Sequence, residues 1–303
     1  MHRVRARAIA LLWAWQAILA LVAAWPAATL VRAAFASDPD GEAVLLRPEG
    51  HALLAFLARE ADGIQGALGG GVVVLVVGAA ASLLPTAMLL YAIEGTLSAR
   101  APFSLKATVA PAVRAFPAFA ILFVGFGLAQ ALVIGVGAFV APLVANLTEG
   151  RAGEVRSEET AAVAVAVFAL AAGYLAVLHD IARAAVARRH KTALAALAAA
   201  LETLQSHPWR LAWAWAWRSA LSWLPLAAIA FAPWSASAAS AASAASASAR
   251  THGAAAFVAW ALLHQSAVIL RITLRASWLA VAVRTVGVTV RAVHDEPAAP
   301  APP

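Results

Sequence analysis

Two stretches of this chain, Gly66–Ile93 and Phe116–Val144, run for 28 and 29 residues without a single Asp, Glu, Lys, Arg or His. In lipid every backbone N–H and C=O must be bonded within its own segment, which leaves the α-helix for runs of this kind. At about 1.5 Å per residue, each exceeds the roughly 30 Å hydrocarbon core of a bilayer. The rest of the chain agrees. It is 63% hydrophobic and 12% charged, with a mean hydropathy of +0.81, against about 45–50% and about 25% in soluble domains. So few charges do not cover the surface of a soluble fold. The expected fold class is all-α: a six-transmembrane-helix bundle with short interfacial helices.

The six apolar runs lie at about 9–31, 67–93, 116–144, 160–182, 211–233 and 254–274, within one membrane domain over 1–293. The first follows Arg3, Arg5 and Arg7. It is longer than the about 7–15 residues of a signal-peptide core, so an uncleaved anchor is expected, although Ala34-Phe35-Ala36 fits a cleavage pattern. A short interfacial helix is expected over 43–57, where Leu46, Leu53, Leu54 and Leu57 fall at helical spacing. Pro85 should kink the second run. Gly66 and Gly70 invite close backbone approach, and Gly127, Ala131 and Gly135 form a stripe of small residues that predicts a packing seam. The acidic connector Asn146–Glu159 separates the third and fourth runs. The alanine/serine stretch Ser235–Arg250 reads as an external linker, and His294–Pro303 as a disordered tail.

The stretch Leu178–Arg218 reads as a hairpin of two spans around a basic connector that holds Arg188, Arg189, His190 and Lys191. With the N-terminus inside, the internal segments hold thirteen Lys and Arg and the external ones six. That bias, and an even number of crossings, place both termini in the cytoplasm. Arginine outnumbers lysine twenty to two amid abundant alanine, as high-GC bacterial coding produces. The expected location is therefore a bacterial inner (cytoplasmic) membrane. The net charge of +7 sits mostly in connectors, where it implies contact with anionic headgroups at the inner face rather than nucleic acid. There is no cysteine, which removes disulfides, thiolate metal sites and cysteine nucleophiles.

Two connectors look alike. Glu94, Arg100, Lys106 and Arg114 follow the second span as Asp180, Arg183, Lys191 and Arg210 follow the fourth. Each is expected to form a short helix on the inner surface. The match reads either as a parallel duplication or as the arginine bias common to cytoplasmic connectors. The phrases GTLSARAPFSLKATVAPAVRAFPAF and HDIARAAVARRHKTALAALAAALETLQSHPWRL resemble a pattern in poorly characterised bacterial six-span membrane proteins. These include the membrane domain that precedes some glycerophosphodiester phosphodiesterases. The resemblance covers about residues 70–290 and implies the six-span architecture. The chain has no soluble phosphodiesterase domain, so that activity is not carried over.

Charged side chains at the centre of a bilayer cost about 2.5–3.5 kcal/mol on insertion scales, and are candidates for function by default. Asp180 and Arg183 lie one turn apart. Arg218, about two turns into the fifth run, can snorkel, but it is the expected partner of Asp180 across the helix interface, since Arg183 is expected to reach water by itself. His264, Arg271 and Arg275 share a face of the sixth run beside Gln265. Together these seven residues form a candidate polar seam between spans four, five and six. The competing reading is structural, with snorkelling arginines and a histidine bonded to backbone. Trp209, Trp213 and Trp217 form a stripe, and Trp13, Trp15, Trp25, Trp234 and Trp278 fall near span ends, as interfacial indoles do.

No His-Glu-x-x-His, Gly-x-Ser-x-Gly or Walker pattern occurs, and no metal-ligand spacing or cofactor fingerprint. Three classes of function remain. The first is a non-enzymatic component or helper of a membrane assembly, whose partners are other membrane proteins. The second is a carrier or binder of a lipid or other amphiphile through the seam. The third is an intramembrane enzyme.

Overall fold

A computed structural model describes residues 2–37, 51–97, 105–189, 192–240 and 249–294. The described residues form α-helices and no strand: α1 (His2–Ala34), α2 (His51–Arg59), α3 (Ala61–Ala81), α4 (Leu83–Leu97), α5 (Leu105–Ala152), α6 (Glu154–Arg189), α7 (Ala193–Ser206), α8 (Pro208–Ser240) and α9 (Ala249–His294). Among the described residues, five helical stretches are long and apolar enough to cross a membrane: Ile9–Ala34, Ala61–Leu97, Ala107–Gly150, Glu154–Arg188 and Ala261–Val286. The chain is a multi-pass membrane protein by this measure. Several expected features lie outside the described residues: 43–50 of the interfacial helix, His190 and Lys191 of the basic connector, 241–248 of the alanine/serine stretch and 295–303 of the tail.

The expected kink at Pro85 is a break. Helix α3 ends at Ala81 and α4 begins at Leu83. Pro85 lacks the N–H that would bond the Ala81 carbonyl, and it falls instead in the first turn of α4, where a missing donor costs little. The expected connector over 146–159 is also mostly helix. Only Gly153 separates α5 from α6, at φ +85°, a conformation that glycine adopts without Cβ strain. Across this turn the Ser157 hydroxyl donates to the Ala145 carbonyl at 2.9 Å. The alanine/serine stretch, expected as a loose linker, continues α8 as far as Ser240. Alanine is the best helix former, and nothing in 235–240 breaks the ladder.

The chain divides into two compact units. The first takes the described residues of Met1–Arg5, Thr86–Ala216 and Ser277–Pro303. Within it α5 packs along α6, and α7 packs on both. At 48 and 36 residues, α5 and α6 are about 72 and 54 Å long, well beyond a hydrocarbon core. Their contact face on α5 carries Phe119, Leu122, Phe126, Gly137 and Ala141. A Cβ on Gly137 would come within 2.8 Å of Phe168. Gly127 and Gly135, by contrast, have nothing within 4 Å and are exposed with Ala131. The predicted seam is thus displaced by about half a turn. The two connectors also differ. The second forms α7 as a separate helix, N-capped by Thr192, whose hydroxyl accepts from the Ala195 N–H at 3.4 Å. The first runs from Leu105 into α5 without interruption.

The second unit takes the described residues of Ala6–Pro85 and Trp217–Ala276. Helix α1 lies on α3, with Leu30 over Gly63 and Leu19 over Gly78. Gly66 and Gly70, the expected points of close approach, face open space. The Trp15 indole donates to the Ser82 hydroxyl at 2.9 Å, and that hydroxyl donates to the Gly78 carbonyl at 2.7 Å, which ties α1 to the α3–α4 break.

Candidate functional site

The last third of α6 is unlike the rest of the helix. Every residue from Val177 to Ala187 is buried. Neither water nor lipid reaches this stretch, and three of its side chains are polar or charged: His179, Asp180 and Arg183. The Arg183 Nη1 lies 3.6 Å from Asp180 Oδ1. The indole of Trp278, on α9, donates to Asp180 Oδ2 at 3.0 Å. The His179 ring stacks on Phe126 of α5, with centroids 4.7 Å apart. One turn further, Arg188 donates to Glu94 of α4 at 3.0 Å. One helix end therefore engages α4, α5 and α9 through polar groups. Arg183 does not reach water, as the sequence alone suggested it would. Its side chain is 8% exposed, because α6 is enclosed on all sides at this level.

The other seam candidates belong to the second unit. The Arg218 guanidinium lies 4.2 Å from the ring centroid of Trp217, and that of Arg271 lies 4.2 Å from the ring centroid of Trp223. Each cation lies over an indole face, a favourable contact; Arg218 is half-buried and Arg271 exposed. Gln265 accepts from the Trp13 indole at 2.9 Å. His264 is half-buried, and Arg275 is exposed on α9. Of the seven candidates, Asp180 and Arg183 thus belong to the first unit, where Trp278 bonds Asp180, and Arg218, His264, Gln265, Arg271 and Arg275 belong to the second, where Arg218, Gln265 and Arg271 each meet a tryptophan.

Two adjoining cavities lie in the first unit. The larger, about 800 Å³, is lined by Tyr91 of α4, Pro111, Arg114 and Pro117 of α5, Val186 of α6 and Thr192 at the start of α7. The smaller, about 430 Å³, is lined among the described residues by apolar ones alone, including Leu122, Phe126, Leu178, Leu194, Leu197 and Leu201. Ile121 and Ala193 line both. The walls follow from the shape of α7. It turns Ala193, Ala196, Ala199 and Ala200 inward, and these small residues let it approach its neighbours closely. Leu194, Leu197 and Leu201 then stand on the flank of that face, over the smaller cavity.

Protein families, curated proteins and solved structures were compared with the chain, and none matches.

The cavity residues were not among the seven candidates. Tyr91 and Arg114 mark the two ends of one basic connector, and Leu194, Leu197 and Leu201 repeat at spacings of three and four within the next. That periodicity was the available signal, but only the fold brings the two connectors together. Trp278 likewise reads in the sequence as an interfacial indole, yet it is 2% exposed and bonded to a carboxylate 98 residues away. Among the described residues, no group of three or more His, Cys, Asp or Glu is placed to hold a metal ion.

Proposed function

We propose that this chain is a six-span protein of a bacterial inner membrane, with both termini cytoplasmic, and that it holds an amphiphile at the inner face as the binding component of a larger membrane assembly rather than as an enzyme. One observation carries the reading. A cavity with an arginine, a tyrosine and a threonine in its wall adjoins one whose described lining is wholly apolar. Ligand pockets typically measure about 300–1,000 Å³, and both volumes fall in that range. A polar compartment continuous with an apolar one matches a molecule with a head and a tail. In this reading the sixth crossing is α8, which has the necessary length at 33 residues. Its indoles and Arg218 lower its hydropathy, but the cation–π contact with Trp217 offsets part of the cost of that charge. The basic connectors then lie inside, which places the cavity residues Arg114 and Thr192 near the cytoplasmic headgroups.

The test is co-purification. The full chain is isolated in a mild detergent, and its organic extract is analysed by mass spectrometry. One amphiphile per chain is expected. Gly125 lines the smaller cavity, and a Cβ there meets nothing within 4 Å. Gly125→Leu should fill the cavity without opposing the helix, since glycine is itself unfavourable in a helix interior. Loss of the amphiphile from Gly125→Leu supports the reading. Equal retention by both proteins overturns it.

A further inference from the structure

We infer that the occupant of the paired cavities is an anionic phospholipid of the inner leaflet, with its phosphate at Arg114 and Tyr91 and an acyl chain beneath the leucine flank of α7. This rests on the amphiphile-binding reading above and assigns its headgroup. Three features of the walls choose the charge. Among the described residues, Arg114 is the one charged residue that lines either cavity, and no acidic side chain lines them. A guanidinium offers planar donors that suit phosphate oxygens. Tyr91 adds a phenol in the same wall. The start of α7 borders the larger cavity at Thr192 and Ala193, so the positive end of that helix dipole also favours an anion there. A cationic amphiphile would meet the wrong sign at Arg114 and at the start of α7, and a wholly apolar molecule would leave Arg114 facing hydrocarbon.

The shape of α7 accounts for the tail. Its alanine face is spent on packing, and its leucines remain as a roof. Leu194 is 78% exposed and Leu201 37%. On an interfacial helix those side chains need an apolar neighbour, and an acyl chain running from the larger cavity into the smaller supplies it.

The experiment uses the full chain in zwitterionic phosphatidylcholine nanodiscs that contain a minor fraction of phosphatidylglycerol. Lipids that remain bound after release into detergent are measured by native mass spectrometry. The wild-type protein should retain one lipid and enrich phosphatidylglycerol over its share in the disc. Phosphatidylcholine shares the phosphate but adds a cation, so the enrichment reads the positive charge of the site: Arg114→Gln should bring the bound ratio close to that of the disc, and Tyr91→Phe, which keeps the charge, should lower it less. Both should still retain a lipid. Leu128→Trp, at an exposed site on α5 outside both cavities, controls for altered handling in detergent and should behave as wild type. If Arg114→Gln keeps the full enrichment while Gly125→Leu loses lipid, the cavities hold a lipid but the headgroup assignment is wrong. If Gly125→Leu also retains one enriched lipid, the amphiphile-binding reading fails with it.

Discussion

Asp180→Asn tests the buried end of α6 most directly. The substitution keeps the shape of the side chain and an oxygen that accepts from the Trp278 indole, so the 3.0 Å bond can persist. What it removes is the negative charge 3.6 Å from the Arg183 guanidinium, in a pair whose side chains are only 8% and 6% exposed. Removing one member of a buried ion pair costs about 3–5 kcal/mol, because the other charge is left in a medium of low polarisability. At about 2–4 °C per kcal/mol for a chain of this size class, the melting temperature in detergent should fall by on the order of 10 °C. Arg183→Gln should cost a similar amount. The double variant Asp180→Asn/Arg183→Gln removes both charges and should be more stable than the poorer single variant. Trp278→Phe deletes only a hydrogen bond to a charged acceptor, with an expected loss of about 1.5–3 kcal/mol. Thermal unfolding of the four variants and the wild type, followed by tryptophan fluorescence or by scattering, measures all of these. If the two single effects simply add in the double variant, or if Asp180→Asn melts within about a degree of wild type, the pair is not the energetic unit described here.

Two further outcomes are expected. Gly137→Val should destabilise the α5–α6 contact by about 1–3 kcal/mol, because a Cβ there meets Phe168 at 2.8 Å, whereas Gly135→Ala should be neutral or stabilising, because that position faces open space; thermal melting separates the two. For the proposed topology, reporter fusions after Ala43 and Gly153 should score external and those after Lys191 and Asp295 internal, and a cytoplasmic signal at Gly153 would refute the six-crossing arrangement.

Much of the local structure is legible from the sequence. Long apolar runs leave no alternative to helix in lipid, and each of the six falls on the described helices, with the second divided between α3 and α4. Pro85 marks a real interruption, displaced to Ser82 because proline settles in a first turn. The Lys-Thr-Ala-Leu phrase does open a short helix, α7, behind a threonine cap. The boundaries were harder to read. The charged residues of 146–159 suggest a connector, but they are the ends of two helices each longer than a hydrocarbon core is thick, and charge and helix are compatible outside such a core.

Which face of each helix meets which neighbour was decided by tertiary structure alone. In water, an apolar stripe against a polar face reveals the buried side. In lipid both faces are apolar, so periodicity carries no such mark, and association depends on fit rather than on hydrophobicity. Hence Gly127, Ala131 and Gly135 look like a seam while Gly137 and Ala141 are one. Asp180 likewise offers several basic residues as partners, and the fold brings it to Arg183 and to an indole 98 residues away. The paired cavities follow the same rule. Their tyrosine, arginine and leucines are ordinary in sequence, and only the packing of α7 across α5 and α6 places a cationic wall beside an apolar groove.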